Sequence, residues 1–131
     1  MQKRLQAVTR ILAVQQQLGR LAEAKLADLD RRVAALQASQ RELVGALNED
    51  AALHGLFVEA MARRVRSISS EIALVERAKE AQAKHLLEET GKLRRVERIA
   101  GALGRECRTA QEKNELAELI DRLKPASASL P

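Results

Sequence analysis

Catalysis or metal binding in this chain would have to start from His54, His85, Cys107 and the adjacent carboxylates Glu88 and Glu89. The histidines share no ligand spacing with each other or with the cysteine, which argues against a metal site or a catalytic triad. Cys107 has no histidine placed to take its proton, so it reads as a small core residue rather than a nucleophile. Glu88 and Glu89 are neighbours in sequence and point in different directions on a helix, which separates them as an acid and base pair. Gly101-Ala102-Leu103-Gly104 lacks the lysine and the preceding strand of a phosphate-binding loop. No catalytic residue, cofactor-binding residue or metal ligand is expected, and function has to come from shape, charge and partners.

The elements that would carry such a function are long helices. The 131 residues include one aromatic side chain, Phe57, and no Trp or Tyr. Without large flat side chains to fill a thick core, the abundant Ala, Leu, Glu, Arg and Gln favour thin helix-on-helix packing. From Leu5, apolar residues recur on alternating steps of three and four, the spacing that keeps one stripe against a partner helix. The series is Leu5, Val8, Leu12, Gln15, Gly19, Ala22, Leu26, Leu29, Val33, Leu36, Gln40, Leu43 and Leu47. Ile11, Leu18 and Leu21 widen it. A second series runs Met61, Val65, Ile68, Ile72, Val75, Lys79, Gln82, Leu86, Glu89, Leu93, Val96, Ala100, Leu103, Cys107 and Ala110. Its polar members Lys79, Gln82 and Glu89 weaken packing locally and can hold register against slipped alternatives. Leu116, Leu119, Ile120 and Leu123 continue at a shifted phase, as a stutter produces.

Between the series, Asn48 can stop a helix, Asp50 can start one and Gly55 admits unusual backbone angles. The fold class expected is all-α: a long two-helix antiparallel coiled-coil hairpin with a longer second helix. The helices should cover about 2–47 and about 56–124, with a turn at about 48–55. Pro125 disfavours helix in the residue before it, so the helix should end at Lys124 and 125–131 should be a disordered tail. A turn centred near Ala51 would set Leu5 near Glu97, leaving the chain beyond Arg98 as an amphipathic overhang. If the chain does not reverse, a homo-oligomeric coiled-coil scaffold replaces the hairpin. Gly91, Gly101 and Gly104 weaken the second helix, and serve either as tolerated imperfections or as points of flexing and close approach by a partner helix.

The formal net charge is +5, with a pI near 9.9. Folding the chain back gathers Lys3, Arg4 and Arg10 beside Lys92, Arg94, Arg95 and Arg98, with Arg105 and Arg108 just beyond: a basic collar for an acidic protein surface. Arg41 with Arg63, Arg64 and Arg66 makes a smaller cluster near the turn. Nucleic acid is disfavoured because no aromatic residues interleave with the arginines. The apolar overhang of Leu103, Leu116, Leu119, Ile120 and Leu123 is a second partner-binding candidate. Met1-Gln2-Lys3-Arg4-Leu5 places charge before any signal-type apolar run, no stretch has the length to span a bilayer, and a lone cysteine suits a reducing cytoplasm.

Two stretches resemble a known family. Leu5-Gln6-Ala7-Val8-Thr9-Arg10-Ile11-Leu12-Ala13-Val14 is similar to its opening, and Arg105-Glu106-Cys107-Arg108-Thr109-Ala110-Gln111-Glu112-Lys113-Asn114-Glu115-Leu116-Ala117-Glu118-Leu119 to its basic-then-acidic close. The family is the stalk proteins of bacterial type III export, the flagellar FliJ proteins and their injectisome counterparts of the YscO type. The resemblance implies an antiparallel two-helix coiled coil like the shaft of rotary ATPases. It also implies a cytoplasmic, non-enzymatic adaptor at the inner-membrane export apparatus, whose partners are the hexameric export ATPase, an export gate protein and export chaperones. The alternative from another class is an export chaperone that holds secretion substrates on the apolar overhang.

Overall fold

The computed structural model describes residues 2–49 and 55–128. Its described residues are entirely helical: α1 spans Gln2–Glu49 and α2, the longer, spans Gly55–Ala128. The two helices pack against each other as an antiparallel hairpin. Two compact units are distinguished within it, Leu18–Thr90 and the pairing of Met1–Gln17 with Gly91–Pro131.

The seam follows from the apolar spacing. Every position of both series, from Leu5 to Leu47 and from Met61 to Ala110, is buried or half-buried, while most residues between them are exposed. Ala22, Val33, Ile68 and Val75 are the most enclosed apolar residues. Two helices can cover only one stripe of each other, and that explains why the core is this thin. Ile11, Leu18 and Leu21 lie off the stripe and remain 54%, 43% and 53% exposed.

In the Leu18–Thr90 unit, the polar seam residues find partners across the helix pair. Gln82 Nε2 donates to the Ala22 carbonyl at 3.1 Å, Lys79 Nζ pairs with Asp30 Oδ1 at 2.6 Å, and Gln40 Nε2 donates to Ser69 Oγ. Glu89 is buried at 5% exposure, with His85 Nε2 3.9 Å from its Oε1. His85 and Glu89 are one turn apart on α2, whereas the Gln82–Ala22, Lys79–Asp30 and Gln40–Ser69 contacts join residues far apart in sequence and establish the reversal of the chain.

They also correct its register. A turn centred at Ala51 would set Gln40 against Ala62, Asp30 against Ile72 and Ala22 against Glu80, yet their partners are Ser69, Lys79 and Gln82, displaced along α2 by seven, seven and two residues. Helical side chains lean toward the N-terminus of their own helix. In an antiparallel pair the two sets lean in opposite directions, so residues that meet start from backbone positions further along both chains. Long Gln and Lys side chains extend the offset.

The ends of the helices differ from expectation in three places. Asn48 and Glu49 belong to α1 rather than to the turn, because the half-buried Leu47 keeps the last turn packed. Gly55 opens α2 with an ordinary helical backbone, since no glycine among the described residues has positive φ. Asp50, His54 and the rest of the expected turn lie outside the described residues. α2 continues to Ala128, past the stop expected at Lys124. Proline costs a helix one backbone hydrogen bond and a steric penalty, but its fixed φ is helical; the end of the expected tail, 129–131, lies outside the described residues.

Candidate partner-binding surface of the second helix

The basic and apolar candidates all fall in the unit formed by Met1–Gln17 and Gly91–Pro131. Here too the register is longer than expected. Gln2 and Lys3 line one groove with Cys107, Ala110, Gln111 and Asn114, rather than sitting beside residues near Arg98. Three corrections follow. Lys3 belongs with the far end of the collar, near Cys107, and not with Arg94, Arg95 and Arg98. The overhang starts near Asn114 instead of after Arg98. Leu103 is half-buried on the seam side, and so drops out of the apolar overhang.

The remaining overhang residues are exposed: Leu116 57%, Leu119 53%, Ile120 47% and Leu123 68%. They do not continue the seam. Cys107 and Leu116 are nine positions apart, two and a half turns at about 3.6 residues per turn, so they point to opposite sides of α2. Seven-residue and four-residue steps from Leu116 reach Leu123 and Ile120, which puts the stripe on the outer face.

The arginines share that outer side. Arg98 and Leu116 are eighteen positions apart, about five full turns, and the same spacing links Arg105 to Leu123. Arg94, Arg95 and Arg98 surround a shallow hollow with Gly91 and Glu97, while Arg105 lines another with Ala102, Glu106, Thr109, Ala110 and Lys113. The hollows exist because the helix carries small residues there. A Cβ added to Gly91 would meet only the Arg95 guanidinium at 3.8 Å, and one added to Gly101 only that of Arg105 at 3.7 Å. Thr109 turns its hydroxyl onto the Arg105 carbonyl at 3.0 Å and leaves its methyl to the surface.

Lys3, Arg4, Arg10, Lys92, Arg94, Arg95, Arg98, Arg105 and Arg108 are all exposed. Apart from Lys92, which has its own interaction, none of them takes part in an ion pair among the described residues. The ion pairs Arg31–Asp28 and Lys79–Asp30, and the approach of His85 to Glu89, all lie in the other unit. Like charges on one helix face raise the local potential and favour an acidic partner.

Cys107 is half-buried at the seam, in keeping with a small packing residue, and its groove neighbours are Gln2 and Lys3. Among the described residues no group of three or more His, Cys, Asp or Glu side chains could hold a metal ion. Among the described residues no helix is long and apolar enough to cross a membrane. The residues that sequence spacing alone missed are Gln2, Gln111 and Asn114, whose grouping depends on the register, and Glu112, which shares the outer face. Counting seven-residue and eleven-residue steps from Arg94 would have found Glu112. Compared with protein-family models, curated proteins and solved structures, the chain matches none.

Proposed function

We propose that this chain is a non-enzymatic stalk and adaptor of a bacterial type III export apparatus, which binds and stimulates the hexameric export ATPase and links it to the export gate. The reading draws on the resemblance of the Leu5–Val14 and Arg105–Leu119 stretches to the stalk family. The observation that carries it furthest is the set of exposed arginines that make no ion pair among the described residues, Arg94, Arg95 and Arg98, on a two-helix hairpin. An acidic surface of the ATPase ring is the counterpart they would meet, on the cytoplasmic side of the inner membrane.

The test is a triple substitution of Arg94, Arg95 and Arg98 to Glu, assayed with purified export ATPase for ring binding and for stimulation of ATP hydrolysis. Both should fall by at least about tenfold, the loss of some 1.4 kcal/mol of interaction. Unchanged values sink the proposal. The exposed Leu116, Leu119, Ile120 and Leu123 favour one other reading, an export chaperone that holds secretion substrates. Stoichiometric capture of a secreted subunit with no effect on the ATPase would select it.

A further inference from the structure

The arginines and the exposed leucines were expected as two sites, a collar and an overhang; their placement makes them one. We infer that the outer face of α2 is a single docking track for a partner helix, with acidic residues at one end of that helix and large apolar residues at the other. Arg94, Arg98 and Arg105 form the basic end, and Leu116, Ile120 and Leu123 the apolar end. Steps of four, seven and eleven residues connect all six, so they follow one line along the helix.

Three observations point to a helix as the occupant. The track from Gly91 to Leu123 is some 48 Å long at about 1.5 Å per residue, far longer than a loop contact needs. Its basic end is floored by Gly91 and Ala102, and the atoms nearest an added Cβ at Gly91 and Gly101 are the tips of long arginine side chains rather than backbone. A second helix axis can therefore approach to the 8–10 Å typical of close helix packing. The apolar end presents residues at the i, i+4 and i+7 spacing by which one helix engages another.

Charge decides which helix. Arg94, Arg98 and Arg105 have no ion pair among the described residues, so a complementary helix gains by bringing carboxylates to them. Glu112 stands on the same face between the two ends, seven positions after Arg105, and calls for one basic residue there. A second copy of this chain fits poorly. Parallel pairing of two tracks sets arginine against arginine, and antiparallel pairing along the full track sets arginine against leucine. Nucleic acid would leave the leucines uncovered, and the one aromatic residue that could stack a base, Phe57, lies in the other unit.

The inference is independent of the export reading, because it specifies the chemistry of the occupant and not its identity. It is tested with the full chain and a fluorescently labelled synthetic helix of about 30 residues. That peptide carries Glu opposite Arg94, Arg98 and Arg105, Lys opposite Glu112, and Leu opposite Leu116 to Leu123. Fluorescence anisotropy should show saturable binding that weakens with added salt. Replacing the peptide's Glu by Lys, or its Leu by Gln, should each weaken binding at least about tenfold.

The same loss should follow from Arg94, Arg98 and Arg105 to Glu in the protein, and from Leu116, Leu119, Ile120 and Leu123 to Gln. All these side chains are exposed, and unchanged helicity by circular dichroism confirms that the variants fold. Absence of saturable binding, equal binding of the Lys peptide, or indifference to either protein variant overturns the track. So does sedimentation showing a dimer that the leucine variant dissociates and the peptide does not displace, since the face would then belong to a second copy.

Discussion

Lys79 Nζ lies 2.6 Å from Asp30 Oδ1, tying α2 to α1 at a seam position where the surrounding pattern is apolar. Hydrogen bonding and charge attraction from Asp30 raise the Lys79 pKa above its ordinary value of 10.5. A lysine held charged by a folded-state partner contributes stability that is fully present below the unfolded pKa and lost as pH rises through the folded one. Asp30→Asn should therefore lower the melting temperature slightly at neutral pH, less so in high salt, because both side chains are near half exposed. The gap between variant and wild type should close above pH 10.5. A gap that persists there would assign the effect to something other than this pair.

Lys79 and Gln82 together test what polar seam residues do. Their replacement by Leu extends the apolar stripe and should raise the thermal midpoint, while removing the bonds to Asp30 and to the Ala22 carbonyl that discriminate one register from its neighbours. Spin labels at Glu23 and Lys84, in a Cys107→Ser background, should show a single distance in the otherwise unchanged chain and a broadened distribution in the double variant. Equally narrow distributions would show that apolar packing alone sets the register.

Burial separates core from surface among residues of similar chemistry. Ile68 is 5% exposed and Leu74, six positions on, is 62% exposed. Ile68→Ala should cost about 2–4 kcal/mol in denaturant unfolding. Leu74→Ala should stay within about 0.5 kcal/mol of the parent, as surface substitutions do. Similar costs at both positions would contradict the seam described here.

Gly104 has nothing within 4 Å of the position a Cβ would take, and its backbone is helical. Gly104→Ala should stabilise the chain by up to about 1 kcal/mol, read as a higher denaturant midpoint at unchanged slope. The same change at Gly91 should gain a similar amount, since the Arg95 guanidinium at 3.8 Å leaves room for a methyl group. Destabilisation at Gly104 would mean that the helix must bend there.

How much of this was legible beforehand depends on which physical signal each feature leaves in the sequence. The seam from Leu5 to Leu47 and from Met61 to Ala110 is written as a period, and a period survives any uncertainty about what it faces. Register leaves no such trace. It emerges from the lean of Gln40, Lys79 and Gln82 toward their partners, and misplacing it moved Lys3 away from Cys107 and put Leu103 in the overhang. Leu116 and its neighbours were recognisable as a phase shift. Their outward direction became clear only against the half-buried Cys107 and Ala110, which show where the seam lies.

Pro125 illustrates another gap between rule and outcome. The rule against helix before proline is a steric preference, and α2 passes through it to Ala128. A residue that ends a marginal helix need not end one already many turns long.

The opposition of Cys107 and Leu116 across a single helix has an evolutionary consequence. Substitutions on the outer face would alter the proposed track without touching the contacts that fold the chain, so lineages could exchange partners while inheriting the same hairpin. Diversification should be faster at Arg94, Arg98 and Leu123 than at Ile68 or Val75, and a new recognition sequence could be grafted there without redesigning the scaffold.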